Sequence, residues 1–127
     1  MKQIGFLRSL LLVGAIYLFL IAGAHFFQIK VPILFIYFDV ASNVYQDRII
    51  SAVSFAVSIF LFGCFKEHEN AFCMVRYAIW AGWAIVSVLV ANNAFADSLL
   101  RVNPIYWAEI SFVAIYVLLL TFASRKK

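Results

Sequence analysis

The stretch LFLIAGAHFF, from Leu18 to Phe27, decides how many times this chain crosses a membrane. It ends an apolar run that begins at Phe6 and is interrupted only near its start, by Arg8 and Ser9. Its Ala-Gly-Ala segment follows a basic N-terminus and an apolar core, which is the pattern of a cleaved secretory signal. The apolar character continues to Phe27, however, so the run is long enough to span a bilayer. We therefore expect a retained first transmembrane helix.

The composition indicates that most of the chain is surrounded by lipid. Among 127 residues the hydrophobic fraction is 66% and the charged fraction is 13%, whereas a soluble domain is about half apolar and about a quarter charged. The net charge of +4 does not indicate a nucleic-acid partner, because no basic stretch is interleaved with exposed aromatics. The Lys and Arg residues lie mostly between or just outside the apolar runs.

Four apolar runs predict transmembrane helices, at about residues 6–27, 48–65, 76–96 and 104–123. Each is close to the roughly 20 residues that a helix needs to cross the hydrocarbon layer, and none shows the strict alternation of a membrane barrel. We predict an all-α fold, an up-and-down integral membrane bundle of four transmembrane helices in a single domain, 1–127. Seven of the ten Lys and Arg residues lie on the side that holds both termini, so both termini should be cytoplasmic.

The longest connection lies between the first and second spans and contains VPILFIYF at Val31–Phe38. This segment is too apolar for a solvated loop and too short to span, and Pro32 discourages a helix through it. We expect an interfacial segment, strand-like or helical, that lies on the membrane or folds back over the helices. It serves either as a cover or as a lid over a substrate site.

Polar residues gather on the side opposite the termini, where Asp39 and Asp47 also fall. The candidate site there comprises Arg48, Glu109, Arg101, Asp97, His25, Asn92 and Asn93. Glu109 lies about one turn into the fourth span, where a bare carboxylate is costly, so it should face inward. Arg48 is its first expected partner and Arg101 its second. Such a pair would either fix helix register or form a ligand or proton site.

Small residues recur at helical spacing in the second and third spans. They are Ser51, Ser54 and Ser58 in the second, and Ala84, Ser87 and Ala91, with Ala78 and Gly82, in the third. Such stripes let helices touch backbone to backbone. The serines could also line a polar conduit, but the lack of an acidic residue at mid-membrane disfavours a transporter. Tyr106 and Trp107 are expected in the outer aromatic belt.

No sequence motif identifies a reaction. Cys64, His68 and Cys73 could be drawn as a metal cluster but lack a clear fourth ligand, so we expect no metal. The two histidines should lie on opposite sides of a hydrocarbon layer of roughly 30 Å, so they cannot share a haem. A glycine-rich phosphate loop and a serine elbow are absent from the sequence. We expect no cofactor, and the question of an enzyme stays open, with a non-enzymatic role favoured.

The order of features along the chain resembles that of a known family. Arg8-Ser9 and Gly14-Ala15-Ile16-Tyr17 open the first span, and a long outer loop with apolar segments follows it. The second span runs from an Arg near its start to a Gly at its end, Arg48 to Gly63, before a short charged inner loop. This layout is similar to that of the DoxX-like family of small four-helix bacterial membrane proteins. The resemblance implies an inner-membrane location and an accessory or quinone-neighbouring role, and it carries over no catalytic residue.

The leading functional prediction is an accessory or scaffold subunit of an inner-membrane complex. Its partners would be the lipid bilayer and either another membrane protein or a second copy of the chain. The alternatives are a quinone-linked or lipid-modifying enzyme that uses the outer polar residues, with a quinone or lipid as ligand, and a small-molecule transporter.

Overall fold

The computed structural model describes residues 2–35, 37–38, 41–67, 71–95 and 104–125. Within these ranges the chain forms four α-helices and no strand: α1 (Lys2–Phe26), α2 (Val44–Lys66), α3 (Ala71–Phe95) and α4 (Pro104–Ser124). The all-α prediction is confirmed. Each of these helices contains a stretch that is long and apolar enough to cross a membrane. The chain is therefore a small multi-pass membrane protein.

The start of α2 lies earlier than the apolar run predicted. The predicted span begins at residue 48, whereas the helix begins at Val44. Asn43 is the N-cap, and its Oδ1 accepts a hydrogen bond from the Tyr45 backbone N–H at 2.9 Å, which satisfies one of the unpaired donors of the first turn. The added turn contains Asp47, and a carboxylate is favourable near the positive end of the helix dipole.

The end of α1 is a turn in which three backbone N–H groups donate back to the helix, the first from Phe27 to Gly23 O at 3.0 Å. Ile29 N–H donates to Ala24 O at 2.8 Å, and Gln28 N–H donates to His25 O at 3.4 Å. Gln28 has φ 57°, the left-handed conformation that glycine usually supplies in this Schellman arrangement. A residue with a Cβ costs about 1–2 kcal/mol there, so the Gln28 side chain needs a compensating contact.

Contacts divide the chain into two compact units, Met1–Ala71 and Phe72–Lys127. The first unit contains α1 and α2, and the second contains α3 and α4. The assignment of the whole chain to one domain stays a prediction.

In the first unit, α1 and α2 pack antiparallel through small residues. Ser51 Oγ donates to Ala22 O at 2.7 Å, and Ser58 Oγ donates to Ala15 O at 2.6 Å. A serine hydroxyl reaches a carbonyl of the neighbouring helix only where the two backbones lie close, and small residues allow that approach. The prediction that the serine stripe brings two helices together is confirmed.

Arg8 extends the same register to the other end of the α1–α2 pair. Its Nε donates to Phe65 O at 3.2 Å, and its guanidinium carbon lies 4.9 Å from the centroid of the Phe65 ring. The bonded positions are residues 8, 15 and 22 on α1 and residues 65, 58 and 51 on α2, seven apart in each helix. A seven-residue repeat keeps one face of each helix against the other along their length.

In the second unit, α3 and α4 meet at a glycine. A methyl group on Gly82 would lie 2.8 Å from Cγ2 of Val117, so the close approach of the two helices there requires a residue without a side chain. We call the buried and half-buried face of α3 the closed seam: Val75, Ile79, Gly82, Val86, Leu89 and Asn93. Its steps of four and three residues are the spacing of a helix-packing surface.

Candidate functional site

Asp47, in the first turn of α2, is the centre of the polar contacts of the first unit. Its side chain is only 2% exposed. Oδ1 accepts from His25 Nδ1 at 3.2 Å, and Oδ2 accepts from Ser42 Oγ at 2.7 Å and from Gln28 Nε2. Both oxygens are therefore bonded, as a buried carboxylate requires. We call these four residues the Asp47 cluster.

His25 brings the end of α1 into the Asp47 cluster. It lies in the last turn of α1 and is 8% exposed. Its ring stacks on Phe35, with centroids 3.9 Å apart and an interplanar angle of 21°. A carboxylate is favourable at the positive N-terminal end of a helix, so Asp47 suits the first turn of α2. Its contact with His25 joins that turn to the last turn of α1.

The apolar segment of the connection folds back over α1. Phe35 is 3% exposed, and the Tyr17 hydroxyl donates to Ile33 O at 2.6 Å. In the described part, residues 31–35 and 37–38, the chain forms turns, so the expectation of a strand-like or helical segment was wrong there. Pro32 has no backbone N–H to donate in a helix or in a sheet. Ile33 has φ 78°, which fits neither a helix nor a strand.

The Asp47 cluster can hold three parts of the chain together. His25 belongs to α1, Gln28 and Ser42 belong to the two ends of the connection, and Asp47 belongs to α2. The hydrogen bond from Gln28 also compensates for its left-handed backbone. Within the described residues, no three His, Cys, Asp or Glu side chains converge as metal ligands would.

The predicted site residues fall in both units. The first unit holds His25 and Arg48, and the second holds Asn92, Asn93 and Glu109. Asp97 and Arg101 lie outside the described residues, as do Asp39 and His68. The structure brings His25 together with Asp47, whereas Arg48 contacts the ring of Phe26, with its guanidinium carbon 5.6 Å from the centroid. The pairing of Glu109 with Arg48 or Arg101 stays a prediction.

The second unit has its own buried polar end. Asn93 is 0% and Glu109 is 7% exposed, which confirms that Glu109 faces inward. Gly82 lies beside Val117, and the connection between α3 and α4 is too short for parallel helices with that contact, so the two helices are antiparallel. Moving along α3 from Gly82 to Asn93 therefore reaches the level of about residue 106 on α4. Asn93 and Glu109 thus lie at the same end of the α3–α4 pair, about one turn apart.

The burial of Tyr106 contradicts part of the aromatic-belt prediction. Its side chain is 1% exposed, whereas that of Trp107 is 39% exposed. Tyr106 is therefore a buried residue of the second unit, and only Trp107 has the exposure that a ring at the membrane boundary needs. The two neighbours differ because consecutive residues of a helix point about 100° apart.

Sequence reasoning did not select Asp47, Gln28 or Ser42 for the site. A signal for Asp47 was present, because it precedes Ser51 by four residues and so continues the serine stripe by one turn. Gln28 and Ser42 had no comparable signal, because they lie in an aperiodic connection.

No family model, no curated protein and no solved structure matches this chain.

Proposed function

We propose that this protein is an accessory or scaffold subunit of an inner-membrane complex, with both termini cytoplasmic. It binds a transmembrane helix of a partner protein along one face of α3. A second copy of the chain is the other partner that such a face suits. The observation that supports the proposal is an exposed surface of α3 with the spacing of a helix-packing seam.

We call this surface the open seam of α3: Tyr77, Ala81, Ala84, Val88, Ala91 and Phe95. These residues follow one another in steps of four and three, as in the closed seam, but all six are exposed. Only 11% of the α3 span is buried, against 22–28% of the other three spans. Among the described helices, α3 therefore has the most surface left for a partner.

The three alanines of the open seam favour a helix as the partner. Lipid tails are as apolar as side chains, so transmembrane helices associate by close packing, which small residues permit. The closed seam of the same helix already works in this way, because Gly82 there lets Val117 approach. The larger residues Tyr77 and Phe95 stand at the two ends of the open seam and would flank a docked helix.

The Asp47 cluster does not favour the enzyme alternative. Both carboxylate oxygens of Asp47 accept hydrogen bonds from the chain itself, so they hold structure together. The resemblance to DoxX-like proteins stays a prediction, and the accessory role that it implies agrees with this proposal.

Co-purification from native membranes tests the proposal. The tagged full-length chain is extracted in a mild detergent, and proteins recovered at stoichiometric amounts are identified by mass spectrometry. Ala84→Leu and Ala91→Leu should each lower recovery of the partner about tenfold. Overpacking a tight contact costs about 1–3 kcal/mol, and about 1.4 kcal/mol corresponds to a factor of ten.

Ala56→Leu is the matched control, because Ala56 is an exposed alanine of α2 outside the open seam. It should leave recovery unchanged. A stoichiometric partner that is a second copy of the chain would make the open seam a self-association surface. Equal recovery with all three variants, or no stoichiometric partner, would contradict the proposal.

A further inference from the structure

A groove runs along the first unit between α1 and α2. Its wider part, a cavity of about 370 Å³, lies beside Phe26, Gly23 and Arg48. A second cavity, of about 280 Å³, follows it along the helix pair at Ile59 and Phe62. Phe19 and Phe55 line both parts, and their ring centroids are 6.0 Å apart. We call the whole the α1–α2 groove.

The α1–α2 groove is long enough to extend from the headgroup level to the middle of a bilayer. Arg48 and Phe62 are separated by about 21 Å along α2, at about 1.5 Å per residue. Half of the hydrocarbon layer is about 15 Å thick. An acyl chain that enters beside Arg48 can therefore lie in the groove down to the middle of the bilayer.

Arg48 puts a positive charge at the mouth of the groove. It lies about 6 Å along the helix axis from the start of α2 at Val44, so its long side chain reaches the headgroup level. Its guanidinium contacts the Phe26 ring, and it forms no ion pair within the described part of the chain. The neighbouring carboxylate of Asp47 is turned inward and bonded to His25, Gln28 and Ser42.

We propose that the α1–α2 groove binds an anionic phospholipid of the leaflet at the Asp47 end, with one acyl chain in the groove and its phosphate on Arg48. The guanidinium offers a planar set of donors that matches phosphate oxygens. Apolar side chains dominate the rest of the groove, as an acyl chain requires. This site is independent of the proposed partner helix, which would bind α3.

Lipid retention by the purified full-length protein tests this site. The delipidated chain in a neutral detergent is mixed with equal amounts of phosphatidylglycerol and phosphatidylcholine of the same acyl chains, and bound lipid is counted by native mass spectrometry. One phosphatidylglycerol per chain should be retained, at about ten times the level of phosphatidylcholine. Both headgroups carry a phosphate, but the quaternary ammonium of phosphatidylcholine offsets its charge and is repelled by the guanidinium, and a factor of ten corresponds to about 1.4 kcal/mol. Arg48→Gln should bring the two lipids to equal retention.

Arg125→Gln is the matched control. Arg125 also lies over a phenylalanine ring, with its guanidinium carbon 5.2 Å from the Phe122 centroid, but it is at the end of α4. This variant should keep the preference for phosphatidylglycerol. Ala52→Phe fills the wider part of the groove and should reduce retention of both lipids, with helix content checked by circular dichroism.

Three results would overturn the site. They are equal retention of the two lipids by the unchanged protein, an undiminished preference in Arg48→Gln, and the same loss of preference in Arg125→Gln. A dimer that disappears in Ala52→Phe would place a second copy in the groove instead of a lipid. If Ala52→Phe does not fold, the comparison of the two arginine variants still decides.

Discussion

Asp47 illustrates how much a single buried charge depends on its neighbours. Its carboxylate is nearly inaccessible and accepts hydrogen bonds from three side chains. A buried carboxylate without such partners would cost several kcal/mol in lost hydration. These bonds also hold the connection, because Gln28 and Ser42 stand at its two ends.

We expect Asp47→Asn to lower the free energy of unfolding by about 1–3 kcal/mol, because an amide has one acceptor oxygen and faces donors with its own N–H₂ group. The midpoint of thermal unfolding in detergent measures the effect. Proteolysis in the 28–43 connection should also become faster. Glu67→Gln is the control, since Glu67 is an exposed carboxylate at the other end of α2. Equal shifts for both variants would show that Asp47 has no special structural role.

A double-mutant cycle separates the His25–Asp47 contact from the other bonds of the cluster. His25→Gln, Asp47→Asn and the double variant are compared by the same unfolding measurement. Residues in direct contact couple by about 0.5–3 kcal/mol, so the double variant should be less destabilised than the sum of the two single variants. Strict additivity would mean that the 3.2 Å contact contributes no stability.

At the scale of helices, the sequence predicted the existence of all four spans and the role of the serine stripe. The length of the apolar runs predicts the spans, and the seven-residue spacing of small residues predicts the contact between helices. The start of α2 was missed because Asn43 and Asp47 are polar, so hydropathy does not register a turn that is formed by a cap. The contacts of Gln28 and Ser42 were missed because a connection has no periodicity from which to infer its path.

The two serine hydrogen bonds should contribute less to the free energy of unfolding than the close packing of α1 and α2 that accompanies them. Ser58→Ala keeps the small volume and loses one interhelical hydrogen bond, worth about 0.6 kcal/mol on average in a membrane. Ser58→Leu forces α1 and α2 apart and should cost at least about 1–3 kcal/mol. Unfolding in mixed micelles with increasing denaturing detergent measures both variants. A larger loss for alanine than for leucine would reverse this view of the α1–α2 contact.

Gly82 should be less replaceable than Gly63. Gly82→Ala places a methyl group against Val117, whose β-branched side chain has little rotamer freedom to move away. It should destabilise the protein, and Val117→Ala should restore part of the loss. Gly63→Ala is the control, because nothing lies within 4 Å of its added methyl group, and alanine in a helix is favoured by about 0.5–1 kcal/mol over glycine. The midpoint of thermal unfolding distinguishes Gly82→Ala from Gly63→Ala.

At the scale of the whole molecule, each unit is an antiparallel helix pair that closes on small residues, by serine bonds in the first unit and by Gly82 in the second. Apolar runs predict such pairs but not which faces meet. The serine stripe marks the contact face of α2, whereas α4 is apolar around most of its circumference. Tyr106 shows this limit, since its burial depends on its angular position on α4.

The proposed topology has both termini cytoplasmic. It predicts at which lysine positions an introduced cysteine is labelled by a membrane-impermeant thiol reagent. In a background with Cys64→Ala and Cys73→Ala, Lys30→Cys should be labelled in intact cells. Lys66→Cys should be labelled only after the membrane is opened, although both lysines are exposed. The reverse pattern would invert the topology, and labelling of both in intact cells would contradict an α2 that crosses the membrane between them.

The matched register of α1 and α2 fixes the length of the pair that must fit the thickness of the membrane. Bonds at residues 8, 15 and 22 and their counterparts on α2 prevent either helix from sliding along the other. In a thinner bilayer, the response with the lowest free-energy cost is therefore for both helices to tilt together as a rigid body.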